Sequence, residues 1–490
     1  MNRPSLFIIL VLSLGIAPRG WGAPAVLTLE QYLNQVREQN TGVRAATSAR
    51  DAARDRVGEG ETLLAPTLFA QFQWADDRAP KDNPTLQGTR TVQNSYQFGV
   101  SKQTTFGLFG RFYYTTAFTG ITGADASFVP FPEFYTAKPT LEFSQSLWRN
   151  FFGRETRAQV AAIEASAQVA HETEGYRARA MLVEAEAAYW RLAAAREVLA
   201  VQRASLDRAK KILDWSSSRV RSRLADRSDL FQSDAGYKLR NLEFNLAEDE
   251  ARAAEMAFNS VRNVPDAQVK DALTDLDQLN EGGLEKQIDK LSGKGAASAA
   301  RDGRRGDVEA AFHAERAAVA AANLAYEKNQ PTLELYGALS LNGRDISSMT
   351  SVSQSFRTDQ AATAVGLRFS MPLNLGTTAD IRKAYRTEAM AAEGKLARAQ
   401  FEEERDWQDI HQKLAEAKRR YLLAKKIEST QKEKYEHERQ RHAGGRSTTF
   451  LVLQFEQDYA QAQILRLRSQ VELLGLSAQM KLYSPEGDTK

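Results

Sequence analysis

The chain has no cysteine among its 490 residues. That excludes disulfide staples, thiolate metal sites, cysteine nucleophiles and a cysteine-linked lipid anchor. It has no excess of either charge: 65 Lys and Arg face 62 Asp and Glu, a formal net charge of +3. A nucleic-acid partner therefore has no compositional support. Beyond the first 25 residues no segment approaches 18 uninterrupted apolar residues, and 26% of the chain is charged, which excludes a helical membrane protein. There is no Walker loop, no GxGxxG and no GxSxG. The histidines, His171, His313, His411, His437 and His442, are dispersed, and only the last two are close, at i,i+5. No catalytic residue, no cofactor and no metal site is expected from such a pattern. Acidic runs such as Glu402-Glu403-Glu404-Arg405-Asp406 read as solvated helix faces rather than catalytic dyads.

What is present is 42% hydrophobic residues, enough to exclude disorder, and a length that admits about three domains or one long repetitive architecture. Residues 1–25 read as a cleaved signal peptide: Arg3, an apolar run from Leu6 to Ala17, then Ala23-Pro24-Ala25 as the small-x-small site. Twelve apolar residues span about 18 Å as a helix, short of the ~30 Å hydrocarbon core. Cleavage after Ala25 removes Arg3 and Arg19 and no acid, leaving +1. The exported chain is then expected to be soluble outside the cytoplasm or a β-barrel in an outer membrane.

Two halves share one pattern. Val43-Arg44-Ala45-Ala46 returns as Val308-Glu309-Ala310-Ala311, and Pro66-Thr67-Leu68 as Pro331-Thr332-Leu333, both 265 residues on. Phe143-Ser144-Gln145-Ser146-Leu147 echoes Phe369-Ser370-Met371-Pro372-Leu373, and Arg227-Ser228 echoes Arg446-Ser447. Four ordered matches predict an internal two-fold repeat. The first repeat spans 26–260 with strands in about 66–148, and the second 306–483 with strands in about 331–373. A linker at 261–305 separates them, and 484–490 is a loose tail.

Each half reads helix, strands, long helix, turn, long helix. Opening helices are expected at about 28–63, with Thr28 as N-cap and Gln31 as its capping-box partner, and at 306–329. Period-two alternation marks strands at Leu68–Trp74, Tyr96–Ser101, Gly110–Thr115, Leu141–Leu147, Leu333–Leu339 and Ala364–Phe369. Aromatics crowd the first set, among them Phe98, Phe106, Phe112, Tyr114 and Tyr135. Periodicity alone is equally consistent with a bilayer girdle and with a soluble sandwich core. The helices carry an apolar residue every 3.5 positions: Met181, Ala185, Ala188, Leu192 and Ala195; Leu239, Leu242, Leu246 and Met256; Ile410, Leu414, Ala417 and Tyr421; Ala460, Ile464, Leu467 and Leu474. That spacing specifies a left-handed coiled-coil seam. Some 50–65 residues before each turn give rods of about 75–100 Å.

These residues resemble the TolC-like outer-membrane efflux proteins. The matches are Thr28-Leu29-Glu30, the two Val-to-Pro intervals, and Gln145–Arg149 running into Gly153-Arg154-Glu155 as a strand-to-helix junction. Ser370 to Gly376 is similar to the second copy of that junction, and Gly444 to Thr449 to the tight turn between long helices, with Leu224 to Leu230 as its first-half version.

The resemblance implies a homotrimer of mixed α and β structure. In it a transmembrane β-barrel, with at least four strands per protomer, continues as a periplasmic coiled-coil α-barrel. It implies the outer-membrane channel of a tripartite efflux or type I secretion system: a passive duct working with a periplasmic adaptor, an inner-membrane pump and outer-membrane lipid. The helix tips at Leu224, Ser228, Gly444, Gly445, Arg446 and Ser447 would then dock the adaptor, and Asp226, Asp229 and Asp234 are the candidate pore constriction. The other reading of those three acids is helix capping, which suits Asp229 after Ser228.

The family commonly has four strands per protomer, whereas here extra strand-like segments lie near 93–104 and 107–118; they widen the barrel or form an extracellular hairpin. The alternative function is an exported structural or adhesive coiled-coil protein with a small soluble β domain.

Overall fold

The computed structural model describes residues 26–224, 226–276 and 304–483. The expected signal peptide, most of the expected linker and the tail lie outside the described residues. In chain order the elements are β1 (Val26–Leu27), α1 (Leu29–Gln39), α2 (Thr41–Asp55), β2 (Thr67–Asp77), a one-turn α3 (Pro84–Gln87), β3 (Arg90–Gln103), β4 (Leu108–Thr122) and β5 (Glu133–Ser146). Then come α4 (Arg154–Arg221), α5 (Arg227–Val261), β6 (Ala272–Leu273), α6 (Gly306–Lys328), β7 (Thr332–Ser340), β8 (Gly343–Asp345), α7 (Ser348–Gln354), β9 (Ala362–Ser370), α8 (Leu375–Ala443) and α9 (Thr449–Met480).

The local chemistry explains these boundaries. Thr28 caps α1 as expected: its hydroxyl accepts from Gln31 N at 3.3 Å, and the Gln31 side chain accepts from Thr28 N at 3.1 Å. The single helix expected at 28–63 is broken. Asn40 turns extended and donates its amide to the Val261 carbonyl at 2.7 Å, and Val57–Leu64 is a 3-10 turn. Its second-half counterpart α6 is continuous. Pro66 and Pro331 directly precede β2 and β7. α4 and α8 contain no proline and many alanines, so they run unbroken for 68 and 69 residues. Both exceed the length expected from the spacing.

The chain divides into two compact units. One comprises 1–41, 182–296 and 413–479. Its core stacks Tyr32 on Phe258 at 4.2 Å between centroids, beside Tyr189, and all three rings are fully buried. Tyr189 donates its hydroxyl to the Leu27 carbonyl at 2.7 Å, holding β1 where it pairs in parallel with β6. The expected seams are buried at Ala185, Leu192, Leu414, Ala417, Tyr421, Ala460 and Leu467.

The seam on α5 differs. Ala247, Ala251 and Phe258 are buried, whereas the apolar stripe Leu239, Leu242, Leu246 and Met256 is exposed. The 3.5-residue spacing placed the seam on the Leu239–Met256 stripe, whereas the chain itself buries the Ala247, Ala251 and Phe258 stripe, which the spacing did not single out. Beside them the fully buried Glu456 accepts from Arg208 at 2.8 Å and Arg240 at 3.3 Å, so its charge is paired rather than stranded.

The other unit comprises 42–181, 297–412 and 480–490. It holds an antiparallel sheet in the order β2-β3-β4-β5-β7-β9, with the short β8 paired to β5. Among the described residues six long strands thus stand in this sheet, against the four that the resemblance led one to expect, and the segments near 93–104 and 107–118 are β3 and β4 within it. β2 and β9 are its edges.

Where β5 passes into α4, Gly153 has φ +79°, and a Cβ there would lie 1.8 Å from the Thr105 carbonyl oxygen. Only glycine fits this bend. Arg149 clamps Glu155 through two bonds of 2.8 Å, and the Asn150 side chain accepts from Thr156 N at 3.0 Å.

Candidate functional site

Directly paired residues of an antiparallel sheet share a face, and neighbours along a strand alternate. Leu68, Val100, Phe112, Leu141 and Leu339 therefore form one row across five strands. Phe72–Tyr96, Phe98–Tyr114 and Phe118–Tyr135 are directly opposed aromatic pairs on the same face, with centroids 4.9, 5.6 and 5.2 Å apart. Leu333, Leu335, Val365, Leu367 and Phe369 continue it onto β7 and β9.

On β3 the first charged residue of this face at one end is Arg90, paired with Asp76 at 2.7 Å, and at the other end Lys102. Twelve residues separate them, about 40 Å along the strand. At a 35–45° tilt that is about 30 Å, the thickness of a hydrocarbon core. This apolar face is open: Leu68 is 79% exposed, Phe72 60% and Val365 75%. Over β5 it is partly covered by α7, where Tyr114 Oη lies 3.2 Å from Ser355 Oγ. That segment turns Met349 and Phe356 outward, while the hydroxyls of Ser351, Ser353 and Ser355 donate to its own carbonyls.

The opposite face is polar. Thr91, Gln93, Ser95 and Gln97 of β3 lie on it, with Arg111, Lys138, Glu142, Glu334 and Arg368 from neighbouring strands. Tyr113 donates its hydroxyl to Glu142 at 2.7 Å, and the Arg111 guanidinium lies 4.3 Å from the Phe69 ring centroid. Near the junction this face opens a cavity of about 900 Å³ lined by Glu142, Glu334, Arg368, Arg149 and Glu155. Period-two counting alone missed this division, because the expected aromatic cluster falls on both faces: Phe98, Phe112, Tyr114, Phe118 and Tyr135 on the apolar one, Phe109, Tyr113 and Phe134 on the polar one.

The turns between long helices are built alike. After α8, Arg446 N donates to the Arg441 carbonyl and Gly445 N to that of His442, both at 2.9 Å, with Gly445 at φ +71°. After α4, Leu224 N donates to Arg219 at 2.8 Å and Arg223 N to Val220 at 3.0 Å, with Arg223 at φ +58°. Both are Schellman ends. They place Arg223 opposite Gly445 and Leu224 opposite Arg446, a spacing of 222 residues. The Arg227-Ser228 and Arg446-Ser447 match, at 219, is therefore out of register: Arg227 begins α5, whereas Arg446 closes the turn after α8.

Asp226, rather than Asp229, caps α5, accepting from Ser228 N at 3.3 Å. Asp229 sits in the first turn, and Asp234 pairs with Lys238 at 2.8 Å. Ser447 donates to Glu438.

Sequence inspection missed a tip cluster: Trp215 packs against His442 at 4.4 Å between centroids with the rings tilted by 52°, and the Arg219 guanidinium lies 4.6 Å from the Trp215 ring centroid. Burial and the Arg219 charge push the His442 imidazole below its usual range. Only the three-dimensional pairing of α4 with α8 reveals it.

Among the described residues no helix is long and apolar enough to cross a membrane. No protein-family profile matches the chain. No curated protein matches it either. Solved structures do. The outer-membrane channel OprN superposes with a TM-score of 0.61 at 16% identity, over 93% of this chain and 89% of that one. The open-state outer membrane channel MtrE of Neisseria gonorrhoeae gives 0.61 at 17% identity, covering 93% and 88%. The outer membrane protein VceC of Vibrio cholerae gives 0.60 at 13%, covering 93% and 95%. The chain therefore has, over nearly its whole length, the fold of these outer-membrane channel proteins.

Proposed function

We propose that the chain is the outer-membrane channel of a tripartite efflux or type I secretion system, a passive duct made of three copies. The observation that carries this reading is the sheet. It has one open apolar face free of charge over a bilayer's depth, one polar face, and two edges with no partner among the described residues. A bilayer accepts strands only when every edge is paired. One copy's six strands run alternately up and down, so β9 of one copy lies antiparallel to β2 of the next, and head-to-tail repetition closes a ring.

The polar face then lines water. The uncovered stripe on α5 supplies a second contact between copies. In this arrangement the coiled helices form a hollow barrel in the periplasm. The tips at Leu224, Ser228, Gly444, Gly445, Arg446 and Ser447 meet an adaptor bound to an inner-membrane pump, and Asp226, Asp229 and Asp234 stand beside the entrance. An exported adhesive protein with a soluble β domain is disfavoured by the same apolar face, which such a domain would bury.

The experiment is extraction from outer-membrane fractions in detergent. A trimer that conducts ions in planar bilayers is expected. A water-soluble monomer without conductance would contradict the proposal.

A further inference from the structure

Three observations place the β3–β4 hairpin. First, it is in continuous register with the sheet on both sides. β3 pairs with β2 from Thr67↔Ser101 to Asp77↔Thr91, and β4 pairs with β5 from Leu108↔Gln145 to Gly120↔Glu133. Second, its tip is tied to the start of the long helix. The Gln145 amide donates to the Phe106 carbonyl at 3.3 Å, Arg157 donates to the Thr105 carbonyl at 3.3 Å, and Gly107 abuts Asn150 and Gly153. A hairpin projecting from the opposite, loop-bearing end has no access to that junction. Third, it obeys the face division of its neighbours: Val92, Tyr96, Phe98 and Val100 on the apolar side, Gln93, Ser95 and Gln97 on the polar side.

From these we infer that the hairpin is wall of the transmembrane barrel, so each copy gives six strands and the pore passes bulkier polar cargo than four strands per copy would admit. This rests on the trimeric-channel reading. Three copies then close eighteen strands, of which the hairpins supply six. Barrel diameter grows about linearly with strand number, so the bore is about 1.5-fold wider than with the hairpins absent. On the wall that the hairpin adds, β3 contributes uncharged amide and hydroxyl from Thr91, Gln93, Ser95 and Gln97 and β4 contributes Arg111, a polar lining suited to hydrated solutes.

The absence of native cysteine makes the test clean. Single variants Gln97→Cys and Phe98→Cys are made in the full-length protein, purified as trimers and placed in liposomes. A fluorophore on position 98 should be quenched by brominated lipid. Position 97 should instead react with a membrane-impermeant thiol reagent. Equal reaction of both with the aqueous reagent, without lipid quenching, overturns the inference and returns the hairpin to the exterior.

Deletion of 79–122 gives a second readout. The cut joins two points at the same end of the sheet, because Asp77 pairs with Thr91 and Thr89 N donates to the Thr122 carbonyl. Wild-type channels should admit neutral polymers of about 1.5-fold larger radius from the β-barrel side than the deletion variant does. An equal size limit counts against the inference. Should the variant fail to assemble, the cysteine pair decides alone. Absence of any trimer or conductance in the wild type would instead sink the channel reading itself.

Discussion

His442 shows how one side chain can make the tip sensitive to acid. Its imidazole is packed against Trp215 and lies near Arg219, and both burial and that positive charge disfavour protonation. The folded pKa lies below the unfolded value near 6.5, so below pH 6.5 the unfolded chain binds more protons than the folded one. Stability is present above that pH and is lost as pH falls toward the lower folded pKa. His411, half-buried against Trp407 at 4.1 Å between centroids, shifts in the same direction through burial alone. Thermal unfolding should occur at lower temperature at pH 5 than at pH 7.5, and His442→Gln should narrow that gap. An unchanged gap would remove His442 from the account.

The two helix ends offer a second residue-scale prediction. Gly445 and Arg223 share a left-handed conformation in matching turns. That conformation costs a non-glycine residue about 1 kcal/mol. Gly445→Ala should therefore destabilise and Arg223→Gly stabilise, each by about that amount, in denaturant unfolding. Gly444→Ala should be nearly silent, since a Cβ there meets nothing nearer than 3.6 Å. The sequence showed two adjacent glycines at a turn, but only the dihedral angles separate the constrained one from its neighbour.

Among the elements, α5 is the most instructive. It carries two apolar stripes: one with Ala247 and Phe258, buried within the chain, and one with Leu239, Leu242 and Leu246, left open. Leu246→Glu should leave the fold of a single copy intact, because the side chain is 59% exposed there. In an assembled ring the same carboxylate would be buried without a partner, at several kcal/mol. Cross-linking should therefore show loss of trimer with unchanged far-UV circular dichroism. Persistence of the trimer would place the interface elsewhere.

Element types were largely legible, because 3.6- and 2-residue periods, Thr28 with Gln31, and the prolines before β2 and β7 act locally. What local rules did not reveal was pairing. The break at Asn40 depends on the distant Val261 carbonyl, and the place of the hairpin depends on strands from both halves of the sheet. The capping role of Asp226 over Asp229 turned on where α5 begins, a boundary that period counting sets only to within a few residues.

At the scale of the whole molecule, the described residues of one chain leave three things open: the two sheet edges, the charge-free apolar face and the α5 stripe. In the assembly we propose, copies of the chain and a lipid bilayer would cover all three at once, and the even number of long strands would make the head-to-tail ring antiparallel throughout. Electron cryo-microscopy of the particle extracted from outer membranes tests this most directly. The account predicts threefold symmetry, one continuous bore and eighteen strands in the wall. A particle without threefold symmetry, or one whose apolar sheet face is packed against its own protein, would contradict it.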